Sequence, residues 1–259
     1  MPIQFVFLDI DGTIYSHGRL VPSAVKAIQR LQHNHIPVAL CTGRSLLHTR
    51  TLQCRLGIRH GVYFNGSLAL TDNTIVHSSP FEPHVVELLM SYLESEERSY
   101  LLHSQERIFT VHPVPDHFTS ILRSFDFPPV YVLSDTDVNI SKTPIFQMNA
   151  FIPQEMDHAL QSLTNECFVY RWDAYAVDLQ RAKSDKSHGA LALLRQFDIA
   201  PESALHIGDG GNDIGMFQRL GHSVAMGNAP REVQEQADWT TTEARENGVY
   251  NALHKLNLI

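Results

Sequence analysis

Short, nearly continuous apolar runs recur along the chain, and each ends in polar residues or glycine. Runs of this kind are typical of strands that are buried on both faces of a parallel sheet. We predict such strands at residues 4–8, 38–41 and 204–207, and a fourth at residues 223–226.

Helical patterns lie between these runs. Residues 22–31 begin with a proline and place apolar residues along one stripe, as in a helix packed on a sheet. Further helices are predicted over residues 187–196 and 213–220, the latter with a left-handed stop at Gly221. Because strands alternate with helices, we predict an α/β fold with a doubly wound, mainly parallel sheet.

The middle of the chain has a different order of elements. Helices are predicted at residues 85–95 and 117–125, and strands at 99–104, 107–112, 146–151 and 168–179. Alternation over residues 175–179 suits a sheet with one exposed face. We interpret this region as an inserted α+β domain, residues 83–182, within a core domain formed by residues 1–82 and 183–259. The hinges are predicted near residues 80–83 and 181–187.

Composition narrows the range of functions. The 259 residues are 43% apolar and 19% charged, as in globular proteins with a sizeable core. The net charge is -8, without a cluster of Lys and Arg, so we expect no nucleic-acid partner. Any bound phosphate must therefore be held by local groups such as a metal ion, a lysine and backbone amides.

Two further patterns bear on location. No apolar stretch is long enough to span a membrane, and the first residues lack a signal-peptide pattern, so a cytoplasmic protein is the default expectation. The three cysteines, Cys41, Cys54 and Cys167, form no CxxC pair. This usage suggests a reducing compartment, and we expect all three to be buried apolar residues.

The first strand ends in two carboxylates, Asp9 and Asp11. Open α/β sheets build their sites at the carboxyl ends of strands, so this acid pair is a candidate site. A surface turn is the alternative interpretation. A calcium loop also begins D-x-D, but Ile14 and Leu20 stand where that loop needs glycine and glutamate.

Two other strands end in groups suited to phosphate or metal. Thr42 and Gly43 follow the second strand and offer a hydroxyl and free amides, although an ordinary turn has the same residues. The third strand runs into GDGGND at 208–213, where Asp209 could coordinate a divalent cation and Asp213 could orient it. This turn lacks GxGxxG, and its acids would repel a pyrophosphate, so Mg2+ explains it better than a dinucleotide.

Lys186 precedes the helix predicted at 187–196, where a cation would serve a shared cleft. From the residues alone, a solvated surface lysine is the favoured interpretation of Lys186, and Lys183 is a local competitor for the role of the cation. The fifteen histidines form no metal-ligand spacing, and none is assigned a catalytic role.

Taken together, DIDGT at 9–13, CTGR at 41–44, Lys186 and GDGGND at 208–213 resemble the four motifs of the haloacid dehalogenase superfamily of hydrolases. The segments AMGNAP (225–230), ADWTT and ENGV look like its Cof-type branch of capped metabolite phosphatases. The resemblance covers about 1–82 and 183–259. It implies a Rossmann-like core, with residues 83–182 as a cap domain that chooses the substrate.

The resemblance also implies roles for individual residues. Asp9 would be the nucleophile and Asp11 the general acid and then the base. A Mg2+ ion would be held by Asp9, the backbone carbonyl of Asp11, Asp209 and Asp213. The transferring phosphoryl group would be held by a set of backbone and side-chain groups: the Ile10 amide, Thr42, the Gly43 amide, Lys186 and Asn212.

The activity implied is hydrolysis of small phosphorylated metabolites, such as sugar phosphates, through an aspartyl-phosphate intermediate. A phosphomutase shares that intermediate, and a phosphate-binding regulatory module without catalysis is a rival of another class. A dehalogenase has no need of the second acid, Asp11. The expected partner is a small phosphorylated metabolite, with no membrane or nucleic acid, and the chain is expected to be a monomer or homodimer.

Overall fold

The computed structural model describes residues 2–125, 127–134 and 139–259, which divide into two compact units. The first unit comprises Met1–Arg44, Arg50–Ser78 and Asp185–Ile259, and the second comprises Ser45–Thr49 and Ser79–Ser184. The domain boundaries inferred from the sequence, at 82/83 and 182/183, stay a prediction. Among the described residues, no helix combines the length and apolar character needed to cross a membrane.

The first unit is built from one large sheet, one small hairpin and flanking helices. Its strands are β1 (Phe5–Leu8), β2 (Tyr15–Ser16), β3 (Arg19–Leu20), β4 (Val38–Cys41), β5 (His60–Tyr63), β6 (Leu68–Thr71), β7 (Thr74–Ser78), β14 (Ala204–Gly208), β15 (His222–Ala225) and β16 (Trp239–Thr240). Its helices are α1 (Pro22–His33), α2 (Leu46–Leu56, whose first turn belongs to the second unit), α6 (Lys186–Gln196), α7 (Ile214–Arg219), α8 (Arg231–Gln234) and α9 (Gly248–Lys255).

In the described part of this unit, eight strands form a sheet in the order β16-β15-β14-β1-β4-β5-β6-β7. The pairs from β16 to β5 are parallel, and β6 and β7 are antiparallel additions at one edge. Because successive side chains of a strand point to opposite faces, β1 contributes Val6 and Leu8 to one core and Phe5 and Phe7 to the other.

Helices cover both faces of this sheet. On the face of Val6 and Leu8 lie α1 and α9, and on the face of Phe5 and Phe7 lie α6 and α7. This is the doubly wound, mainly parallel arrangement predicted from the sequence, and the fold class is confirmed. The four predicted strands correspond to β1, β4, β14 and β15, with ends that differ by at most one residue.

One helix end was predicted for the wrong reason. We expected Gly221 to be a left-handed stop for the helix that is α7, but α7 ends at Arg219 and Leu220 is extended, with φ -102° and ψ 155°. Gly221 instead lies where a Cβ atom would stand 2.2 Å from the carbonyl oxygen of Glu202. Glycine is needed there because two backbone segments approach closely.

The second unit is an α+β arrangement with its own sheet. Its strands are β8 (Tyr100–His103), β9 (Ile108–Thr110), β10 (Val130–Val132), β11 (Gln147–Ala150), β12 (Cys167–Asp173) and β13 (Ala176–Arg181), and its helices are α3 (Pro83–Ser95), α4 (Asp116–Ser124) and α5 (Asp157–Ser162). Among the described residues the strand order is β10-β9-β8-β11-β13-β12. The run predicted as one strand at 168–179 is therefore an antiparallel pair, β12 and β13, because the chain turns between Asp173 and Ala176.

Both faces of this second sheet bury apolar side chains. Leu102, Met148 and Leu179 pack with residues of α3 and α5 on one face, while Leu101 and Ile108 pack with residues that include α4 on the other. The prediction of one exposed face is thus wrong for most of the sheet. Exposed aromatic side chains on β12, those of Phe168 and Tyr170, lie at one of its edges.

The cysteine prediction holds in part. All three cysteines are free thiols, and Cys41 and Cys167 are buried as predicted. Cys54 is exposed, so its assignment to the core was wrong. It lies on α2, whose sequence LLHTRTLQCRL has a weak apolar stripe and leaves several side chains in solvent.

Candidate active site

The end of β1 carries the two acids that the sequence singled out. Asp9 is buried and remains in register with β14, because its N–H donates to the carbonyl of Ile207 at 3.0 Å. The side chain of Asp11 is 59% exposed. Between Asp11 and Thr13 the chain turns at Gly12, which has φ +74° and where a Cβ atom would fall 1.9 Å from a carboxylate oxygen of Asp209. Only glycine lets these two strand ends approach so closely.

The turn after β1 is tied down by backbone hydrogen bonds. The carbonyl of the buried Ile10 accepts the N–H groups of Thr13, Ile14 and Tyr15, at 2.8–3.2 Å. Thr13 is buried, and its hydroxyl donates to Oδ1 of Asp209 at 3.2 Å. The first strand end therefore holds the third one in place.

The end of β4 carries Thr42 and Gly43. Thr42 is buried, and its hydroxyl oxygen accepts the backbone N–H of Arg44 at 3.1 Å. A Cβ atom at Gly43 would lie 3.0 Å from the amide oxygen of Asn65. That same oxygen accepts a hydrogen bond from Nδ2 of Asn212 at 2.9 Å. Asn65 thus lies between two of the predicted phosphate-binding residues.

The turn after β14 presents two acids in different surroundings. Asp209 is partly exposed, and Asn228 donates to its Oδ2 at 3.0 Å. Asp213 is fully buried, and its Oδ2 accepts the backbone N–H groups of Asp209 at 3.0 Å and Gly210 at 2.9 Å. Asp213 therefore fixes the backbone that carries Asp209.

Lys186 joins the first and third strand ends. It is fully buried as the first residue of α6, and its Nζ lies 2.6 Å from Oδ1 of Asp9 and 2.6 Å from Oδ1 of Asp213. The carboxylate of Asp185 caps this helix by accepting the N–H of Ser187 at 2.8 Å. The interpretation of Lys186 as a solvated surface lysine is wrong, whereas Lys183 is exposed.

Carboxylates are crowded at this point. One carboxylate oxygen each from Asp9, Asp209 and Asp213 lies within 4.8 Å of the other two. Burial raises the pKa of Asp9 to about 8, an effect that Lys186 opposes and Asp213 strengthens. Burial and the nearby Asp213 raise the pKa of Asp209 to about 6. The cluster thus holds more negative charge than Lys186 alone neutralises.

This donor set fits a divalent metal ion. The candidate ligands are hard oxygens, which Mg2+ prefers, and a cation would relieve the repulsion between carboxylates that adds to burial in raising the pKa values of Asp9 and Asp209. Asp213 fits the role of ligand less well, because both of its oxygens already accept hydrogen bonds from the protein. Burial alone would raise its pKa, but Lys186 and His206 lower it below the ordinary value.

Asp11 has a hydrogen-bond partner, Arg44, that was not predicted from the sequence. Nε and Nη2 of Arg44 donate to its two carboxylate oxygens at 2.7 Å and 2.5 Å, and the guanidinium lies over the ring of Tyr15. Burial opposes the charge of Arg44, but the hydrogen bond to Asp11 and the nearby charges of Asp11, Tyr15 and Asp9 together raise the pKa of Arg44. A bidentate pair of this kind fixes the orientation of a carboxylate.

Several residues near the site were not assigned roles from the sequence. They are Thr13, Arg44, Asn65, His206 and Asn228. Arg44 and Asn228 lie inside segments that carry the family resemblance, and His206 interrupts the apolar run of β14. That interruption was the available signal, since a histidine inside a buried strand needs a hydrogen-bond partner.

Comparison with known proteins yields relatives of full length. A Bacillus subtilis (strain 168) protein named "Putative phosphatase YkrA" is 26% identical over all of both chains. A phosphoglycolate phosphatase of Methanopyrus kandleri is 27% identical over 98% of this chain and 97% of its own. A solved structure of a hypothetical protein from Geobacillus kaustophilus HTA426 has 26% identity and a TM-score of 0.92, over 99% of this chain and 100% of that one.

The class of the protein follows from its family: it is an α/β enzyme of the hydrolase class, with acids at strand ends that meet beside a buried lysine. The family model of the haloacid dehalogenase-like hydrolases matches residues 6–253, and the chain belongs to that family. The family predicted from the four motifs is thereby confirmed.

Proposed function

We propose that the protein is a Mg2+-dependent phosphatase that hydrolyses small phosphorylated metabolites, such as sugar phosphates, through an aspartyl phosphate on Asp9. The observation that carries the proposal is the position of the Asp9 carboxylate, 2.6 Å from the ammonium of Lys186 and within 4.8 Å of oxygens of Asp209 and Asp213. The phosphatase names of the full-length relatives support it.

The first requirement of such a reaction is charge neutralisation, because a carboxylate repels a phosphate dianion. Lys186 supplies one positive charge directly beside Asp9. A Mg2+ ion, held by Asp9, Asp209 and the Asp11 carbonyl with support from Asp213, would supply further positive charge and shield the phosphoryl oxygens.

Asp9 then attacks phosphorus, and the bond from phosphorus to the ester oxygen breaks. Asp11 gives its proton to the departing alkoxide, so that the leaving group departs as an alcohol. In the second half, Asp11 takes a proton from water, the water oxygen attacks phosphorus, and the Asp9 carboxylate leaves. Each half replaces one bond to phosphorus with another, so free phosphate and the regenerated enzyme are the products.

The remaining site residues would hold the phosphoryl group. In this role we place the hydroxyl of Thr42, the amides of Ile10 and Gly43, the ammonium of Lys186 and the side chain of Asn212. Asn65 supports two of them, since its amide oxygen lies where a Cβ atom on Gly43 would meet it and accepts a hydrogen bond from Asn212. The Arg44–Asp11 pair has to open before Asp11 donates a proton, because both of its oxygens accept hydrogen bonds from the guanidinium.

The experiment that tests the proposal is release of inorganic phosphate from a panel of phosphorylated metabolites, each assayed with Mg2+ and with a chelator. We expect Mg2+-dependent release with wild-type protein and none with Asp9→Asn prepared in the same way. Full turnover by Asp9→Asn would contradict the assignment of Asp9 as the nucleophile. Formation of an isomeric sugar phosphate without free phosphate would indicate a phosphomutase, and the absence of any turnover would favour a binding module.

The substrate within this class, the cytoplasmic location and the oligomeric state remain predictions. The second compact unit, which contains the inserted residues, is the part that we expect to choose the substrate.

A further inference from the structure

His206 is a buried histidine for which the proposed chemistry has no use. It lies in the middle of β14, fully buried, beside Phe7 of β1 in the sheet register. Its ring lies 5.6 Å from the ring of Phe217. Burial lowers its pKa, which nearby Asp213 opposes. A polar ring in such apolar surroundings is costly unless a partner satisfies it.

That partner is Asp213. Nε2 of His206 lies 2.8 Å from Oδ1 of Asp213. Because an ionised carboxylate only accepts hydrogen bonds, Nε2 carries the hydrogen and donates it. Burial, which lowers the pKa of the ring, favours its neutral form. His206 therefore contributes a donor without adding a charge.

With this contact, the carboxylate of Asp213 is held from three directions. Its Oδ1 accepts from Lys186 on α6 and from His206 on β14, and its Oδ2 accepts from the backbone amides of Asp209 and Gly210. Rotation of the carboxylate would break contacts on both oxygens at once. The direction of Oδ1 fixes the Lys186 ammonium, and the direction of Oδ2 fixes the backbone of Asp209.

We infer that His206 is a positioning residue: its Nε2–H orients Asp213, and through Asp213 it keeps Lys186 beside Asp9 and Asp209 at the metal-binding cluster. It touches neither Asp9 nor the phosphoryl group, so its effect is transmitted by Asp213. The inference rests on the proposed function, because Lys186 and Asp209 are the groups whose placement it explains.

Oδ1 of Asp213 accepts hydrogen bonds from both Lys186 and His206. The Nε2–H donor of His206 therefore has an effect beyond packing. The Lys186 ammonium lies 2.6 Å from Asp9 and 2.6 Å from Asp213, balanced between two carboxylates. Without the second donor, Oδ1 would depend on Lys186 alone, and the ammonium would be drawn toward Asp213 and away from Asp9. A leucine of similar volume restores the packing but not this balance.

The variants for the test are His206→Leu, which removes the donor, and His206→Gln, whose amide nitrogen reaches about as far as Nε2. The matched control is Ser223→Ala. Ser223 is the register partner of His206 on β15, is equally buried, and accepts the backbone N–H of Asp238. Ser223→Ala removes this hydrogen bond from the same sheet and leaves the hydrogen bonds of Asp213 in place.

The first measurement is binding of Mg2+ alone to the full-length protein by isothermal titration calorimetry. We expect His206→Leu to weaken Mg2+ binding about 10-fold, the lower end of the effect of removing a residue that supports metal ligands. His206→Gln should recover most of the affinity, and Ser223→Ala should bind like wild type. The inference is overturned if His206→Leu binds Mg2+ like wild type or if Ser223→Ala shows the same loss.

The second measurement is turnover of an aryl phosphate at saturating Mg2+. We expect His206→Leu to lower kcat about 10-fold or more, with KM within about twofold of wild type, because Lys186 is misplaced relative to Asp9. If His206→Leu does not fold, His206→Asn takes its place, since its shorter amide does not reach Asp213. Wild-type Mg2+ affinity in His206→Asn then overturns the inference. If wild type turns over no phosphate ester, the phosphatase proposal fails while the Mg2+ measurement still decides the role of His206.

Discussion

At the scale of single residues, the site combines side chains that the sequence identified with others that it did not. Asp9, Lys186 and the turn that carries Asp209 and Asp213 are distant in sequence and meet because their strand and helix ends share one edge of the sheet. The order and spacing of the motifs made it predictable that these side chains would lie close together. The contacts of Arg44 with Asp11 were not predictable, because a partly buried arginine in a loop leaves no periodic signal in the sequence.

Asp11 provides the sharpest test at this scale. Asp11→Asn keeps the size of the side chain but cannot exchange a proton, so we expect turnover to fall about 100-fold to 10,000-fold. Mg2+ binding should change little, because the proposed ligand is the backbone carbonyl. Single-turnover phosphate release measures the rate. The control is Asp72→Asn, which removes an exposed acid paired with Arg59. A wild-type rate in Asp11→Asn would remove Asp11 from the mechanism.

A second residue prediction concerns stability and pH in the second unit. Asp178 on β13 accepts a hydrogen bond from Asn149 at 2.6 Å, and burial raises its pKa to about 7 despite nearby hydrogen bonds. The folded state therefore binds more protons than the unfolded state between about pH 4 and pH 7, so this group's contribution to stability falls as pH rises through that range.

Asp178→Asn removes this dependence. We expect the thermal midpoint of Asp178→Asn, relative to that of wild type, to rise from pH 5 to about pH 7 and then to level off toward pH 8. Thr110→Val is the control, since it removes a buried hydroxyl from the same sheet and no ionisable group. The difference between the thermal midpoints of Thr110→Val and wild type should stay constant with pH. A constant difference for Asp178→Asn as well would show that Asp178 does not titrate in this range.

At the scale of elements, the predictions succeeded where apolar patterning decides the structure. Strands β1, β4, β14 and β15 are buried on both faces, so their sequences carry a clear signal. The turn between β12 and β13 and the end of α7 were misjudged. The first depends on a tight reversal at 174–175, and the second on a close approach to Glu202, neither of which a periodic pattern reveals.

Helix α6 offers a prediction that belongs to this scale. Its Asp185 cap holds the first turn, which begins with Lys186. Asp185→Ala should lower the free energy of unfolding by about 1 kcal/mol, the usual contribution of an N-cap. Asp185→Asn retains a capping oxygen and is the matched control, so it should stay close to wild type. Urea unfolding of both variants measures the difference, and equal midpoints would show that the cap contributes nothing.

At the scale of the whole molecule, two compact units share one chain, and the acidic site lies within the first. Sequence reasoning identified the class of enzyme because the motifs lie in this unit. It did not identify the substrate, since the inserted region carries no motif. Its polar side chains, such as those of Asn149 and Asp178, come together only through strand pairing.

Metal binding should be visible in the stability of the entire protein. The carboxyl groups of Asp9 and Asp209, whose pKa values are raised to about 8 and about 6, must lose their protons to bind a cation. Mg2+ should therefore raise the thermal midpoint, and by more at pH 8 than at pH 6, with about 2.7 kcal/mol gained at a concentration 100 times Kd. Asp209→Asn should abolish most of this gain, and NaCl of equal ionic strength is the control. If NaCl stabilises as well as Mg2+, or Asp209→Asn responds like wild type, the acidic cluster is not the metal site.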